Sequence, residues 1–129
     1  MKHNFIATLI LVGTGFLASG AASAVSVNDF ETNTTQNLIN LCTVSKNDPK
    51  AEEAIHFCYG YLVGAFDYHM SMVVKDAKDD WFCMPTPRPT RDEAVARFVK
   101  WTKAHPEYMN ELPVETEFRF LIDQFPCKK

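Results

Sequence analysis

The sequence predicts an all-α protein, a small four-helix domain stapled by two disulfides. Apolar residues recur at the spacings of three and four that are typical of helices, and alternating β-branched runs bounded by hairpin turns are nearly absent. The chain of 129 residues has an ordinary globular composition, with 47% hydrophobic and 22% charged residues. Its four cysteines are the third observation, because cysteines crosslink small domains in an oxidising compartment.

The N-terminus predicts a signal peptide that is removed after export. Lys2 precedes an uncharged apolar block at residues 5–17, and small residues at 22–24 form an A-x-A cleavage pattern. An uncleaved membrane anchor is the weaker interpretation, because a spanning helix needs about 20 apolar residues. We therefore expect residues 1–24 to be a cleaved signal peptide. Residues 25–129 are expected to form one helical domain in the periplasm, with no membrane contact after cleavage.

The first two helices are predicted in the N-terminal half of this domain. Apolar residues at helical spacing place the first over Asp29–Cys42, and its polar part, residues 31–36, is expected to be exposed. The second helix is predicted to be capped by Asp48, to have Pro49 at its first position and to continue to Val73.

The second predicted helix is apolar on nearly all sides, which indicates a central helix surrounded by the others. Gly60 and Gly64 lie four residues apart on it and form a flat groove. Glycine inside a helix costs about 1 kcal/mol relative to alanine, so a tight helix crossing is the expected reason for this pair. The groove, with Tyr59 and Tyr61, is equally suited to the seam of a homodimer.

Two further helices are predicted in the C-terminal half. Thr90 and Glu93 form a capping box for the third helix, which ends before the His105-Pro106 pair. After a turn at residues 106–112, the last helix is predicted over residues 113–124. The side chains expected to face inward from it are Val114, Phe118, Leu121, Ile122 and Phe125.

The cysteines predict two disulfides and no metal site, because neither C-x-x-C nor a Cys/His pair at zinc spacing occurs. Four cysteines allow three connectivities, and their spacing does not choose among them. The helix layout favours a bridge between Cys42 and Cys58, which would lock the first two helices. It also favours a bridge between Cys83 and Cys127, which would fasten the C-terminus to the long connection before the third helix.

Motifs for catalysis or cofactor binding are missing from the sequence. It contains no nucleophile elbow, zinc-protease motif, P-loop or dinucleotide-binding turn. The net charge of −3 gives no basic field for nucleic acid. We therefore expect a protein that is not an enzyme, needs no cofactor and acts by binding a partner. An enzyme acting on peptidoglycan is the catalytic alternative, with His69 and His105 as its candidate groups.

Two connections can present a partner-binding surface. The first, residues 75–89, combines acids, aromatic residues and three prolines, and a stiff segment loses little entropy on binding. The second is the turn at residues 106–112. The candidate contact residues are Asp79, Asp80, Trp81, Tyr108 and Glu111. The alternative is that Trp81 and Phe82 cover the core beside Cys83.

Four segments form a distinctive set: the CYGYLVG run at residues 58–64, FCMP at 82–85, HPE at 105–107 and FPC at 125–127. This set resembles the Rap/Tai family of periplasmic immunity proteins of type VI secretion. Their order and spacing are those of the family over about residues 28–127. The framework that the resemblance covers consists of Cys42, Cys58, Gly60, Gly64, Cys83, Pro106 and Cys127.

The resemblance implies a small disulfide-bonded helical domain, often dimeric. It also implies a partner, a peptidoglycan amidase delivered by neighbouring cells, whose active-site cleft the immunity protein blocks. A periplasmic stress or holdase-type chaperone, or a general envelope binding protein without enzymatic activity, is the alternative. Such a chaperone exposes apolar surface when acid protonates its carboxylates.

Overall fold

A computed structural model describes residues 24–73 and 80–128 and confirms the all-α, four-helix prediction for them. No strand occurs in these two ranges. Two 3-10 helices accompany the four α-helices. The elements in chain order are a 3-10 helix at Val27–Glu31, α1 (Thr35–Cys42), α2 (Ala51–Met72), α3 (Arg91–Ala104), a 3-10 helix at Pro106–Tyr108, and α4 (Pro113–Gln124).

The predicted first helix is in fact two elements. The carboxylate of Asp29 accepts hydrogen bonds from the backbone N–H and hydroxyl of Ser26, at 2.8 and 2.9 Å, which closes a 3-10 turn. Thr32 then adopts a left-handed conformation with φ of 48°, and the Thr34 hydroxyl caps α1 by accepting from the Asn37 N–H. The prediction of one continuous helix was therefore wrong. In this segment short polar side chains bond to the backbone N–H groups that would otherwise take part in helical hydrogen bonds.

Asp29 ties the 3-10 turn to α1 although it is a buried acid. Its second carboxylate oxygen accepts from the amides of Asn37 and Asn40 at 3.2 and 2.9 Å. Burial alone would raise the pKa of Asp29, but the hydrogen bonds from Asn40, Ser26 and Asn37 together lower it. The expectation that residues 31–36 are exposed is also wrong at one position, since Thr35 is fully buried.

α2 begins two residues later than predicted because Asp48 caps the preceding turn instead of the helix. Its carboxylate accepts from the backbone N–H groups of Lys50 and Val25, at 2.8 and 3.0 Å. The first bond holds the turn before α2, and the second fastens the start of the described chain to it. These two hydrogen bonds lower the pKa of Asp48.

α2 contacts the three other α-helices, as expected of a central helix, but they pack against one face and do not surround it. The buried side chains of α2 are those of Ala54, Cys58, Leu62 and His69, which follow one face. Gly60 and Gly64 lie on the exposed side, and a Cβ atom built on either would meet no atom of the described chain within 4 Å. No helix of the described chain therefore crosses at this groove.

α3 and α4 have the predicted bounds, but the inward face of α4 is different. The Thr90–Glu93 capping box is formed, with the Thr90 N–H donating to the Glu93 carboxylate at 2.8 Å. Ile122 was expected to face inward and is 44% exposed. Leu121 and Phe125 are buried as expected, while Val114 and Phe118 are only partly buried. The residues of α4 that are buried are Pro113, Thr116, Glu117, Phe120 and Leu121.

The two predicted disulfides hold the helices around one core. Cys42 at the end of α1 is bonded to Cys58 in α2, and Cys83 is bonded to Cys127 after α4. Among the described residues, none of the helices is both long and apolar enough to cross a membrane. The centre of the core is made of fully or almost fully buried apolar side chains, among them Leu38, Leu41, Ala54, Cys58, Phe98 and Phe120.

Candidate protein-binding surfaces

The first predicted surface is built around Trp81, a large exposed side chain at the start of the connection to α3. Its indole is 59% exposed, and its inner side lies against the rings of His69 and Phe118, with centroids 5.0 and 5.9 Å away. The next residue, Phe82, is 4% exposed and belongs to the core. Phe82 therefore packs inside the core, whereas the Trp81 indole packs on the outside of the core and exposes most of its surface.

The backbone that carries Trp81 is fixed at the end of α4. The disulfide between Cys83 and Cys127 lies two residues further on, and the Cys83 N–H donates to the Phe125 carbonyl at 2.7 Å. The carbonyl oxygen of Asp80 lies 3.8 Å from the sulfur of Cys127. Asp80 is half-buried, and the predicted contact residue Asp79 lies outside the described residues. A covalent anchor so close to an exposed indole lowers the ordering cost of binding through it.

The second predicted surface joins Tyr108 and Glu111 through a residue that the sequence did not indicate. The Arg119 side chain of α4 donates to the Glu111 carboxylate at 2.9 and 3.4 Å. The same guanidinium lies over the Tyr108 ring, 5.0 Å from its centroid. Arg119 is separated from Glu111 by eight residues and the start of a helix, so no short-range spacing predicts this pairing.

The Tyr108 ring also continues an aromatic stack. It lies nearly parallel to the indole of Trp101, with 5.7 Å between centroids and 10° between planes, and is stacked on His105 as well. Aromatic stacking and a cation over the ring hold Tyr108 in one orientation. Tyr108 and Glu111 are both half-buried, so each has part of its surface free for a partner.

The N-terminus of α1 holds the backbone of this second surface. The Glu111 carbonyl accepts from the N–H and the hydroxyl of Thr35, at 2.7 and 3.0 Å. The Met109 carbonyl accepts from the Gln36 N–H at 2.9 Å. The first N–H groups of a helix have no partner inside it, so the turn at residues 106–112 supplies acceptors that α1 needs.

The chain segments that carry the two surfaces lie toward opposite ends of α4, but Trp81 lies against Phe118 of this helix and the second surface includes the next residue, Arg119. Tyr108 and Glu111 precede its first residue, whereas Asp80 lies beside Cys127, beyond its last residue. Both surfaces therefore use α4 as their common support.

The two histidines of the catalytic alternative have separate, structural surroundings. His69 is buried among the rings of Trp81, Phe82 and Phe118, all 5.0–5.1 Å away between centroids. His105 is stacked on Trp101 and its Nδ1 lies 2.8 Å from the Trp101 carbonyl oxygen. Within residues 24–73 and 80–128, no group of three or more His, Cys, Asp or Glu side chains is arranged to hold a metal ion.

Comparison with known protein families identifies this arrangement. Residues 34–127 match the sequence model of the Rap1a immunity proteins. The chain belongs to the Rap1a immunity protein family. The match begins at Thr34, the cap of α1, and ends at Cys127, so it includes all four helices and both disulfides. No curated protein and no solved structure matches the chain.

Membership of the Rap1a family confirms the resemblance that the sequence indicated. Immunity proteins bind a cognate effector, so the partner of the chain is an effector protein. The two disulfides indicate an oxidising compartment outside the cytosol, where such bonds persist. Both exposed surfaces therefore become candidates for the contact between this Rap1a protein and its effector.

Proposed function

We propose that the chain is a periplasmic immunity protein that binds a type VI secreted peptidoglycan amidase and inhibits it by blocking its active-site cleft. Family membership supports the immunity role. The two disulfides support an oxidising compartment, and in the periplasm the inhibitor meets the effector beside its cell-wall substrate. In this proposal residues 1–24 are the export signal and residues 25–129 form the inhibitor.

The observation that carries the cleft-blocking step is the presentation of Trp81. It is 59% exposed and lies two residues before a disulfide-bonded cysteine. Exposed tryptophans are frequent binding hot spots, because they bury a large area at a small cost in conformational entropy. The prolines at 85, 87 and 89 stiffen the chain that follows. In the proposed complex this segment enters the cleft, and Trp81 with Asp79 and Asp80 contacts its walls.

Tyr108 and Glu111 form the second contact in this proposal. They are tied to Arg119, so this surface presents a carboxylate, a guanidinium and a phenol ring in fixed positions. Such a surface suits the rim of an interface, where charged groups orient a partner more than they add affinity. In the proposed complex it contacts the amidase at the rim of the cleft.

The proposal is tested by adding the purified protein to a candidate peptidoglycan amidase effector, chosen from the genes beside its own, and following peptidoglycan cleavage. Loss of cleavage at a one-to-one ratio is expected, and the protein alone is expected to leave peptidoglycan intact. Undiminished cleavage at excess protein would contradict the proposed function. Cleavage by the protein alone, abolished by His105→Ala or His69→Ala, would favour the enzyme alternative instead.

The contact residues are tested with matched variants. Trp81→Ala is expected to weaken inhibition by at least about tenfold, as loss of a hot-spot aromatic does. Val27→Ala is the control, since Val27 is an apolar residue of the first 3-10 helix with 68% of its surface exposed. Arg119→Ala is expected to weaken binding less than Trp81→Ala does. Inhibition by Trp81→Ala as strong as that by Val27→Ala would remove Trp81 from the interface.

We also propose a homodimer through the exposed face of α2. Gly60 and Gly64 leave a strip without side chains on this face, and close helix packing uses such strips. Analytical ultracentrifugation of the native protein and of Gly60→Leu tests this proposal. The variant is expected to be monomeric at concentrations at which the native protein is a dimer, and a native monomer would contradict it.

A further inference from the structure

An apolar cavity of about 170 Å³ lies between α2, α3 and α4 and opens beside the connection that precedes α3. Four phenylalanines line it together with aliphatic side chains. An engineered apolar cavity of about 150 Å³ stays free of water and binds benzene, so a volume of this size accepts one aromatic ring. The phenylalanines of the lining are Phe66, Phe98, Phe120 and Phe125.

The lining contains one acidic residue, Glu117 in α4. Its side chain is 4% exposed, and its Oε2 atom is buried without a hydrogen-bond partner among the described residues. Burial raises the pKa of Glu117 to about 9, so the group is a neutral carboxylic acid at neutral pH. A neutral carboxylic acid both donates and accepts a hydrogen bond, and leaving it unpaired in an apolar site is unfavourable.

Two arginines flank the opening of the cavity. Arg88 and Arg91 belong to the lining but are exposed, and the Arg88 guanidinium lies 5.8 Å from the centroid of the Phe66 ring. This positive charge disfavours a ligand that carries an ammonium or guanidinium group. A ligand without such a cationic group that can pair with Glu117 is favoured instead.

We propose that this cavity binds one aromatic ring that carries a single hydroxyl group, with the ring among the phenylalanines and the hydroxyl against the carboxyl of Glu117. The ring gains edge-to-face contacts with the lining, and the hydroxyl supplies the partner that Glu117 lacks. A phenol of this kind belongs either to a small molecule or to a tyrosine of a bound protein. The second source rests on the proposed function, whereas the site itself does not.

Binding is tested with p-cresol, toluene and N-acetyltyrosine amide, titrated into the protein and followed by backbone amide NMR. Saturable shifts at residues around the cavity are expected with p-cresol. The same shifts with N-acetyltyrosine amide would assign the site to a protein tyrosine, and their absence with that probe would assign it to small phenols. No saturable shift with p-cresol would overturn the proposal, whatever the outcome of the amidase assay.

The location of the site is tested by filling the cavity. Ala94 of α3 is part of its lining, whereas Ala96, two residues later in the same helix, is exposed. Ala94→Leu is expected to weaken p-cresol binding by at least about tenfold, because the new side chain occupies the space of the ring. Ala96→Leu is the matched control and is expected to bind as the native protein does. Equal binding by both variants would place p-cresol elsewhere.

The role of Glu117 is tested by comparing p-cresol with toluene, which differ by one hydroxyl. Glu117→Leu is expected to shift the ratio of their dissociation constants by about tenfold in favour of toluene, the usual effect of one lost hydrogen bond. Glu117→Gln is expected to retain most of the native preference, because an amide still donates and accepts. An unchanged ratio in Glu117→Leu would contradict the assignment of the hydroxyl to Glu117.

Discussion

The hydroxyl oxygens of Thr35 and Thr116 lie 2.7 Å apart in the buried contact between α1 and α4. Both residues are fully buried, although they are separated by 81 residues. The Thr35 hydroxyl also donates to the carbonyl of Glu111. This small polar network therefore links α1, α4 and the turn that carries the second candidate surface.

Replacement of Thr35 by valine is expected to destabilise the protein by about 0.5–1.5 kcal/mol, because the Thr116 hydroxyl and the Glu111 carbonyl each lose one of two hydrogen-bond partners. Thr102→Val is the matched control. Thr102 is equally buried, but its hydroxyl donates only to Phe98 in the same helix. Urea unfolding of both variants measures the difference, and equal losses would mean that the link between α1 and α4 adds nothing to stability.

Replacement of Gly60 or Gly64 by alanine is expected to stabilise the protein by up to about 1 kcal/mol each, the usual difference in helix propensity. Neither new methyl group would meet an atom of the described chain within 4 Å. Thermal or urea unfolding at low protein concentration provides the measurement. A loss of stability that appears only at high protein concentration is the result expected if the proposed homodimer packs on these glycines.

The positions of the helices were predictable where local signals are strong. Pro113 at the first helical position and Pro126 after the last fixed α4, and the Thr90–Glu93 box fixed the start of α3. The start of α1 was not predictable in the same way. There the Asp29 side chain has several possible hydrogen-bond partners nearby. The 3-10 turn that forms depends on its contacts with Asn37 and Asn40, which exist only in the folded chain.

The inward face of α4 shows why the candidate sites were only partly predictable. Counting apolar residues placed Ile122 inside, but the buried face includes the polar residues Thr116 and Glu117. In the folded chain Thr116 pairs with Thr35, and Glu117 lies beside the cavity between α2, α3 and α4. Likewise, the junction of Tyr108, Glu111 and Arg119 depends on contacts across separate elements. A periodicity pattern carries no information on such contacts.

Removal of the disulfides is expected to have unequal effects. The bridges close loops with sequence separations of 16 and 44 residues, for which the chain-entropy relation gives about 3 and about 4 kcal/mol. Removal of the Cys83–Cys127 bridge is also expected to weaken binding of the effector, because Trp81 loses its anchor. Urea unfolding and inhibition assays on the two double-alanine variants measure these effects.

The variant without the Cys42–Cys58 bridge is the control for binding. It is expected to lose stability but to keep its affinity for the effector under conditions in which it remains folded, because Trp81 stays anchored. Equal loss of affinity in both disulfide variants would show that the Cys83–Cys127 bridge has no particular role in presenting the indole.

Glu117 predicts a stability difference that depends on pH. Its pKa is raised to about 9 in the folded protein by burial, whereas an unfolded glutamate titrates near its ordinary value of 4.5. Below the unfolded pKa both states hold the proton, and Glu117 then has no pH-dependent effect on the free energy of unfolding. Between the two pKa values the unfolded state releases a proton that the folded state retains. Stability therefore falls as the pH rises, by about 1.4 kcal/mol per unit.

Glu117→Gln removes this titration. The free energy of unfolding of the variant minus that of the native protein is therefore expected to be about 3 kcal/mol larger near pH 7 than near pH 4. A constant difference in packing or hydrogen bonding shifts the whole curve, so the change with pH is the diagnostic quantity. Acids with lowered pKa, such as Asp29 and Asp48, occur in both proteins and cancel in the comparison. Urea unfolding from about pH 4 to about pH 8.5 provides the measurement. This range ends before Tyr61 titrates, because the pKa of Tyr61 is raised, chiefly by burial. Parallel curves for the two proteins would mean that Glu117 is already ionised in the folded state, and that the cavity therefore contains a group that stabilises its charge.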